Sequence, residues 1–175
     1  MTREALIIID VQNDYFADGL FPLWNAETVL EQTLQAVRHA QAQQIPVLLV
    51  QHVADTSQGP APFFNPDSEG VAIHPRLQAM LPDAPVIVKQ AADSFWKTDL
   101  EAHLRRLNIN KITLSGMMTH NCVTHTALSR DAETYEVSIL GDCCTTVSEI
   151  LHLIALSAIR NRIPVQNTAD WIAGR

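Results

Sequence analysis

A basic excess is the first thing this sequence lacks: 12 Lys and Arg stand against 19 Asp and Glu, for a net charge of −7. Nucleic acid and anionic membrane are both held through clustered Lys and Arg, so neither is expected as a main partner. A small molecule is expected instead. No apolar run is long enough to span a bilayer. The opening Met1-Thr-Arg-Glu4 leads straight into a short apolar stretch, without the hydrophobic region and cleavage site of a secretory signal. Cysteine is scarce, and three residues with two adjacent do not make a disulfide framework, so a cytoplasmic, reducing setting is expected. Internal repeats and low-complexity tracts are also missing. A chain of 175 residues that is 47% hydrophobic is then expected to form one globular domain, 1–175, with a sizeable core.

What is present alternates. Residues 5–9 are a continuous, mostly β-branched apolar run, as in a strand buried on both faces of a parallel sheet. Leu30, Leu34 and Val37 follow helical spacing within 25–44, with Asn25 as N-cap and Glu27 in the first turn. Strands are expected at 46–51, 86–88, 111–115, 137–140 and 164–166. Helices are expected from a Thr98/Glu101 capping box, over 121–133, and from a Thr146/Glu149 capping box to about 161. Residues 53–84 carry no clear period and hold Pro60, Pro62, Pro66, Pro75 and Pro82, as a long, partly stiffened excursion of the kind that often closes over a site. The pattern predicts an α/β fold with three layers, helices covering both faces of a parallel sheet.

Ligands of such sheets bind beyond the carboxyl ends of the strands. Asp10, Lys89 and Cys122 all fall at such ends. An acid, a cation and a thiol at one sheet edge supply a base, a thiolate stabiliser and a nucleophile. Cys122 is expected where a helix begins, and unpaired N–H groups there would lower its pKa. His120 and Asn121 flank it, and Tyr15, Phe21 and Phe95 lie near predicted strand ends with Trp24 and Trp96, as candidate pocket walls. His125, five residues beyond His120, is expected on the surface. Cys143 and Cys144 are expected to follow the fifth strand and to be structural.

Three motifs carry a resemblance: Ile9-Asp-Val-Gln-Asn-Asp14, then Val88-Lys89 with Ser94-Phe95, then Gly116-Met-Met-Thr-His-Asn-Cys-Val123. In this order and spacing the chain resembles the isochorismatase-like cysteine hydrolases, which include nicotinamidases and N-carbamoylsarcosine amidohydrolases. The resemblance implies a six-stranded parallel sheet of order 3-2-1-4-5-6, with Asp10, Lys89 and Cys122 as catalytic triad. In that order Lys89 lies two strands from Asp10, roughly 10 Å away, and must lean inward. It further implies a cis peptide at Met117-Met118 and an oxyanion hole from the Met118 and Cys122 N–H groups. Nicotinamidases of the family carry an Asp-x-His pair and a further His for a metal. Here Val50-Gln-His-Val-Ala-Asp55 leaves only His52, with His74 elsewhere, so no metal and no cofactor are expected. Family members are commonly dimers or tetramers, which implies a homo-oligomer. The implied activity is metal-independent hydrolysis of a small amide, ureido or carbamoyl C–N bond. The alternatives are vinyl ether hydrolysis, which true isochorismatases perform without a cysteine nucleophile, and a non-enzymatic small-molecule binding or thiol redox-sensing protein.

Overall fold

The computed structural model describes residues 2–174. Six parallel strands form one sheet: β1 Glu4–Ile9, β2 Val47–His52, β3 Val86–Lys89, β4 Lys111–Met117, β5 Glu136–Thr145 and β6 Val165–Gln166, in the order β3-β2-β1-β4-β5-β6. β1 is central, and its alternation sorts the core. Leu6 and Ile8 pack under α1 (Ala26–Ala42), while Ala5, Ile7 and Ile9 face α3 (Leu100–Arg106), α4 (Thr124–Ala127) and α5 (Glu149–Ile159). Helices α2 (Pro75–Met80) and α6 (Thr168–Ile172) add Leu77 and Trp171 to the α1 side. No helix among the described residues is long and apolar enough to cross a membrane.

Gly116 fixes how closely β4 runs beside β1. Its φ is +119°, and a Cβ there would lie 2.0 Å from the Ile9 carbonyl oxygen, so only glycine fits. Immediately afterwards the chain reaches Cys122.

Several helix starts differ from the sequence expectation, and each has a local cause. Asn25 occupies the cap position of α1 in the left-handed region (φ 56°) and makes no side-chain cap, a conformation Asn tolerates. The Thr98/Glu101 box does not form. Thr98 Oγ1 instead donates to the Ser94 carbonyl at 2.6 Å and accepts from Leu100 N–H at 3.3 Å, while Glu101 pairs with Arg105. Helix α5 is capped by Ser148, which accepts from Leu151 N–H, because Thr146 is bonded to the ring of His120. The single helix expected over 121–133 is broken into a wide turn, Thr119–Val123, then α4, then a tight turn at Asp131–Thr134. Hydroxyls compete with the helix there: Thr124 Oγ1 donates back to the Asn121 carbonyl, and Thr126 reaches out to Ser94. β5 continues through Cys143 and Cys144, which therefore lie within the strand rather than after it. Helix α6 was not expected; Asn167 caps it by accepting from Asp170 N–H at 2.7 Å.

Candidate active site

β1 ends at Ile9, and Asp10 turns the chain with φ 52° while its N–H still bonds Val50. Lys89 closes β3 opposite His52 of β2. Cys122 sits inside the wide turn after β4. The lysine stem crosses the ends of β2 and β1, so that Nζ lies 2.8 Å from Asp10 Oδ2 and 3.2 Å from Cys122 Sγ. The expected inward lean of Lys89 is thus the observed geometry. The ammonium also approaches the Ala91 carbonyl at 3.0 Å and His52 Nδ1 at 3.1 Å. An ammonium only donates, so this His52 nitrogen is the acceptor and the ring proton is on the other one.

All three groups are shut from water: Asp10 is 0%, Lys89 2% and Cys122 4% exposed. Burial alone would lower Lys89, but the facing Asp10 charge first, and then its contacts with Asp10 and the Cys122 sulfur, outweigh it and hold the ammonium above its ordinary value. Burial pushes the Cys122 thiol up to about 12, Asp10 adds to the rise, and Lys89 only partly opposes it. The depressed pKa expected from a helix start is therefore corrected, since desolvation dominates and Cys122 does not open an α-helix. Burial and Lys89 both lower His52. Both Asp10 carboxylate oxygens are buried, and they face the Lys89 ammonium, 2.8 Å from Oδ2, and the Cys122 thiol.

Tyr15 is buried with its phenol held neutral, chiefly by burial and then by Asp10 and Cys122. It meets the ring of Phe64 edge-on at 4.6 Å, with Phe63 and Phe21 beyond. Phe64 also lies 5.9 Å from the His52 ring. Sequence reasoning missed Phe63 and Phe64 because the contact that places them spans 50 residues: Asp14 Oδ2 accepts from Phe64 N–H at 2.7 Å. Gln12 was equally unmarked. It accepts from His52 N–H and donates to the His52 and Val71 carbonyls, tying the 53–84 excursion to the strand ends.

The other candidates are dispersed. Phe95 stacks on Tyr135 at 6.1 Å in the core cluster that also holds Cys122. The His120 ring bonds Thr146 Oγ1 at 2.6 Å. The Asn121 carbonyl receives Thr124, and the exposed His125 ring bonds it at 2.8 Å. Trp96 is exposed. The Met117–Met118 peptide is cis, and the Met118 carbonyl accepts from Asn121 and Val123 N–H. Cys143 bonds Thr168 Oγ1, Cys144 bonds the Leu140 carbonyl, and burial pushes both thiols up.

One trio of metal-capable groups assembles among the described residues: Asp10, His52 and Cys122, with ligand atoms within 4.8 Å of one another. A metal does not fit them. The Lys89 ammonium already lies among the three, and a divalent ion would share that space with a buried cation. His74 instead caps α2 and packs on Phe16.

Residues 4–170 match the isochorismatase domain model. The chain is 35% identical over 144 residues to YddQ, an uncharacterised isochorismatase family protein of Bacillus subtilis, covering 82% of this chain and 78% of that one. It superposes on the crystal structure of an Oleispira antarctica protein assigned to the isochorismatase hydrolases with a TM-score of 0.88, at 33% identity, over 99% of this chain and 97% of that one. The nicotinamidase PncA of Bacillus subtilis has the same fold, with a TM-score of 0.84 at 24% identity over 95% and 99% of the two chains.

Proposed function

The chain belongs to the isochorismatase family, and within it we propose a metal-independent cysteine hydrolase that cleaves a small amide, ureido or carbamoyl C–N bond through a thioester. The observation that carries this reading is the bridge made by Lys89 Nζ between the buried Asp10 carboxylate and the Cys122 sulfur. A cation there is costly to bury and is held by the groups it faces. It favours a thiolate as soon as the proton leaves.

At rest Cys122 is a thiol. As the sulfur attacks the substrate carbonyl, its proton passes to Asp10, and the new thiolate charge is spent in the C–S bond. The oxyanion is received by the N–H groups of Met118 and Cys122. When the intermediate collapses, the C–N bond breaks and Asp10 gives its proton to the departing amine. Asp10 then takes a proton from water as that water attacks the thioester. The acid product leaves, and the proton returns to sulfur. Tyr15, Phe21, Phe63 and Phe64 form an aromatic cluster on the His52 side of the site, and in this reading its edge supplies the apolar surface against a small substrate.

The test is amine or ammonia release from a panel of small carboxamides, ureides and carbamoyl compounds, with and without chelator. Turnover should survive chelation and fall at least about a thousandfold in Cys122→Ala. Substantial turnover by that variant, or cleavage of a vinyl ether in its presence, would overturn the cysteine mechanism.

A further inference from the structure

Helix α5 is apolar on two opposite sides, and the fold uses only one of them. Ala155, Leu156 and Ile159 face the sheet with the polar His152. On the other side Ile150, Leu153 and Ile154 are 72%, 57% and 59% exposed, and Ser157 and Ala158 continue the row. This i, i+3, i+4, i+7, i+8 series is the stripe a helix normally buries. Val147 and Leu128 widen it, and beside it a cleft of about 240 Å³ opens between α4 and α5, lined by Leu128, Thr124 and His120. An exposed apolar face of this kind on a charged protein marks an interaction surface.

The charges around it specify the occupant. From Ile150 to Ile159 α5 carries no Lys, Arg, Asp or Glu. Glu149 lies in its first turn and Arg160 at its C-cap, both exposed. Their separation corresponds to three helical turns plus about 20°, so the two opposite charges share one edge of the stripe. A two-fold axis that brings α5 against an antiparallel copy preserves that edge. It sets each Glu149 beside the partner's Arg160 at both ends, with apolar rows between them and opposed helix dipoles. A parallel copy would set like charges together.

We propose that α5 is the isologous dimer interface of this protein, packed antiparallel on the α5 of a second copy and closed by reciprocal Glu149–Arg160 pairs. Ile154 lies near the middle of the helix and faces its own counterpart across the axis. Ser157 and Ala158 let the helices approach closely. The interface borders the site, because His120 of the α4–α5 cleft stands two residues before Cys122.

Sedimentation velocity at tens of micromolar tests the proposal with variants of exposed residues. Wild type should be a dimer, and Ile150→Asp a monomer that stays folded and melts in one cooperative transition, independent of protein concentration. Glu149→Arg should weaken association by about tenfold or more, and adding Arg160→Glu should restore it. Ile154→Cys should give an intermolecular disulfide, since Cys122, Cys143 and Cys144 are all buried. A monomeric wild type, an assembly indifferent to Ile150→Asp, or a charge swap that fails to restore association would overturn it.

Discussion

β1 opens on one carboxylate, Glu4, and is followed directly by another, Asp10; each is paired to a lysine, and the two ends are built oppositely. At the amino end Glu4 is saturated: Oε1 accepts from Thr113 Oγ1 and from Trp171 Nε1 at 2.9 Å, and Oε2 lies 3.2 Å from Lys111 Nζ. At the carboxyl end Asp10 is sealed from water and has fewer partners: the Lys89 ammonium, 2.8 Å from Oδ2, and the Cys122 thiol. A saturated carboxylate stabilises a fold and resists proton transfer. An under-satisfied one beside a thiol can take a proton and give it back, and its cost is carried by the rest of the sheet.

The sharpest way to break this contrast is to neutralise each carboxylate in turn. Asp10→Asn should lower turnover by about a thousandfold. Glu4→Gln should leave turnover within about threefold and cost roughly 1–3 kcal/mol in urea unfolding, because Lys111 loses its charge partner and the amide cannot serve every donor. Comparable turnover losses from both variants would contradict the division. The lysines give a smaller effect in the other observable. Lys89→Met leaves Asp10 uncompensated in a dry site and should cost about 3–5 kcal/mol. Lys111→Met should cost about 1 kcal/mol or less, since that pair is partly solvated. Equal losses in denaturant midpoint would remove the distinction.

The smallest effect is in pH. His52, His74, His120 and His152 are all lowered by burial, so below 6.5 the unfolded chain takes up protons that the folded one refuses. Their contribution is present above 6.5 and is lost as pH falls through the folded values. The lowered carboxylates Glu31 and Asp55 act only below this window. The melting temperature should drop by about 3 °C or more between pH 7.5 and 5.5. A midpoint that stays level or rises would count against the burial of these rings. At the site the same protonation would set a second cation 3.1 Å from Lys89.

Much of the reactive end was legible in the sequence. Apolar runs end at Asp10 and Lys89, and a glycine-led turn precedes Cys122, so the local pattern already places three polar groups at strand ends. The six-stranded order was also as the family resemblance implied. What escaped was non-local. Thr98 and Thr146 read as caps, but Ser94 and His120 hold them elsewhere. The helix at 121–133 reads as continuous until Thr126 finds Ser94 Oγ, 32 residues away. Cys122 reads as an activated thiol because sequence reveals its place in the turn and not its dryness. Phe63 and Phe64 sit in an excursion without a period, and only Asp14 brings them to Tyr15.

The most direct measurement is intact mass spectrometry of the protein quenched within seconds of mixing with the amide, ureide and carbamoyl panel, beside Cys122→Ala. A single acyl adduct on wild type, absent from Cys122→Ala and formed far more slowly in Asp10→Asn, is the predicted result. Turnover without any adduct on Cys122, or an adduct that survives in Cys122→Ala, would contradict the account.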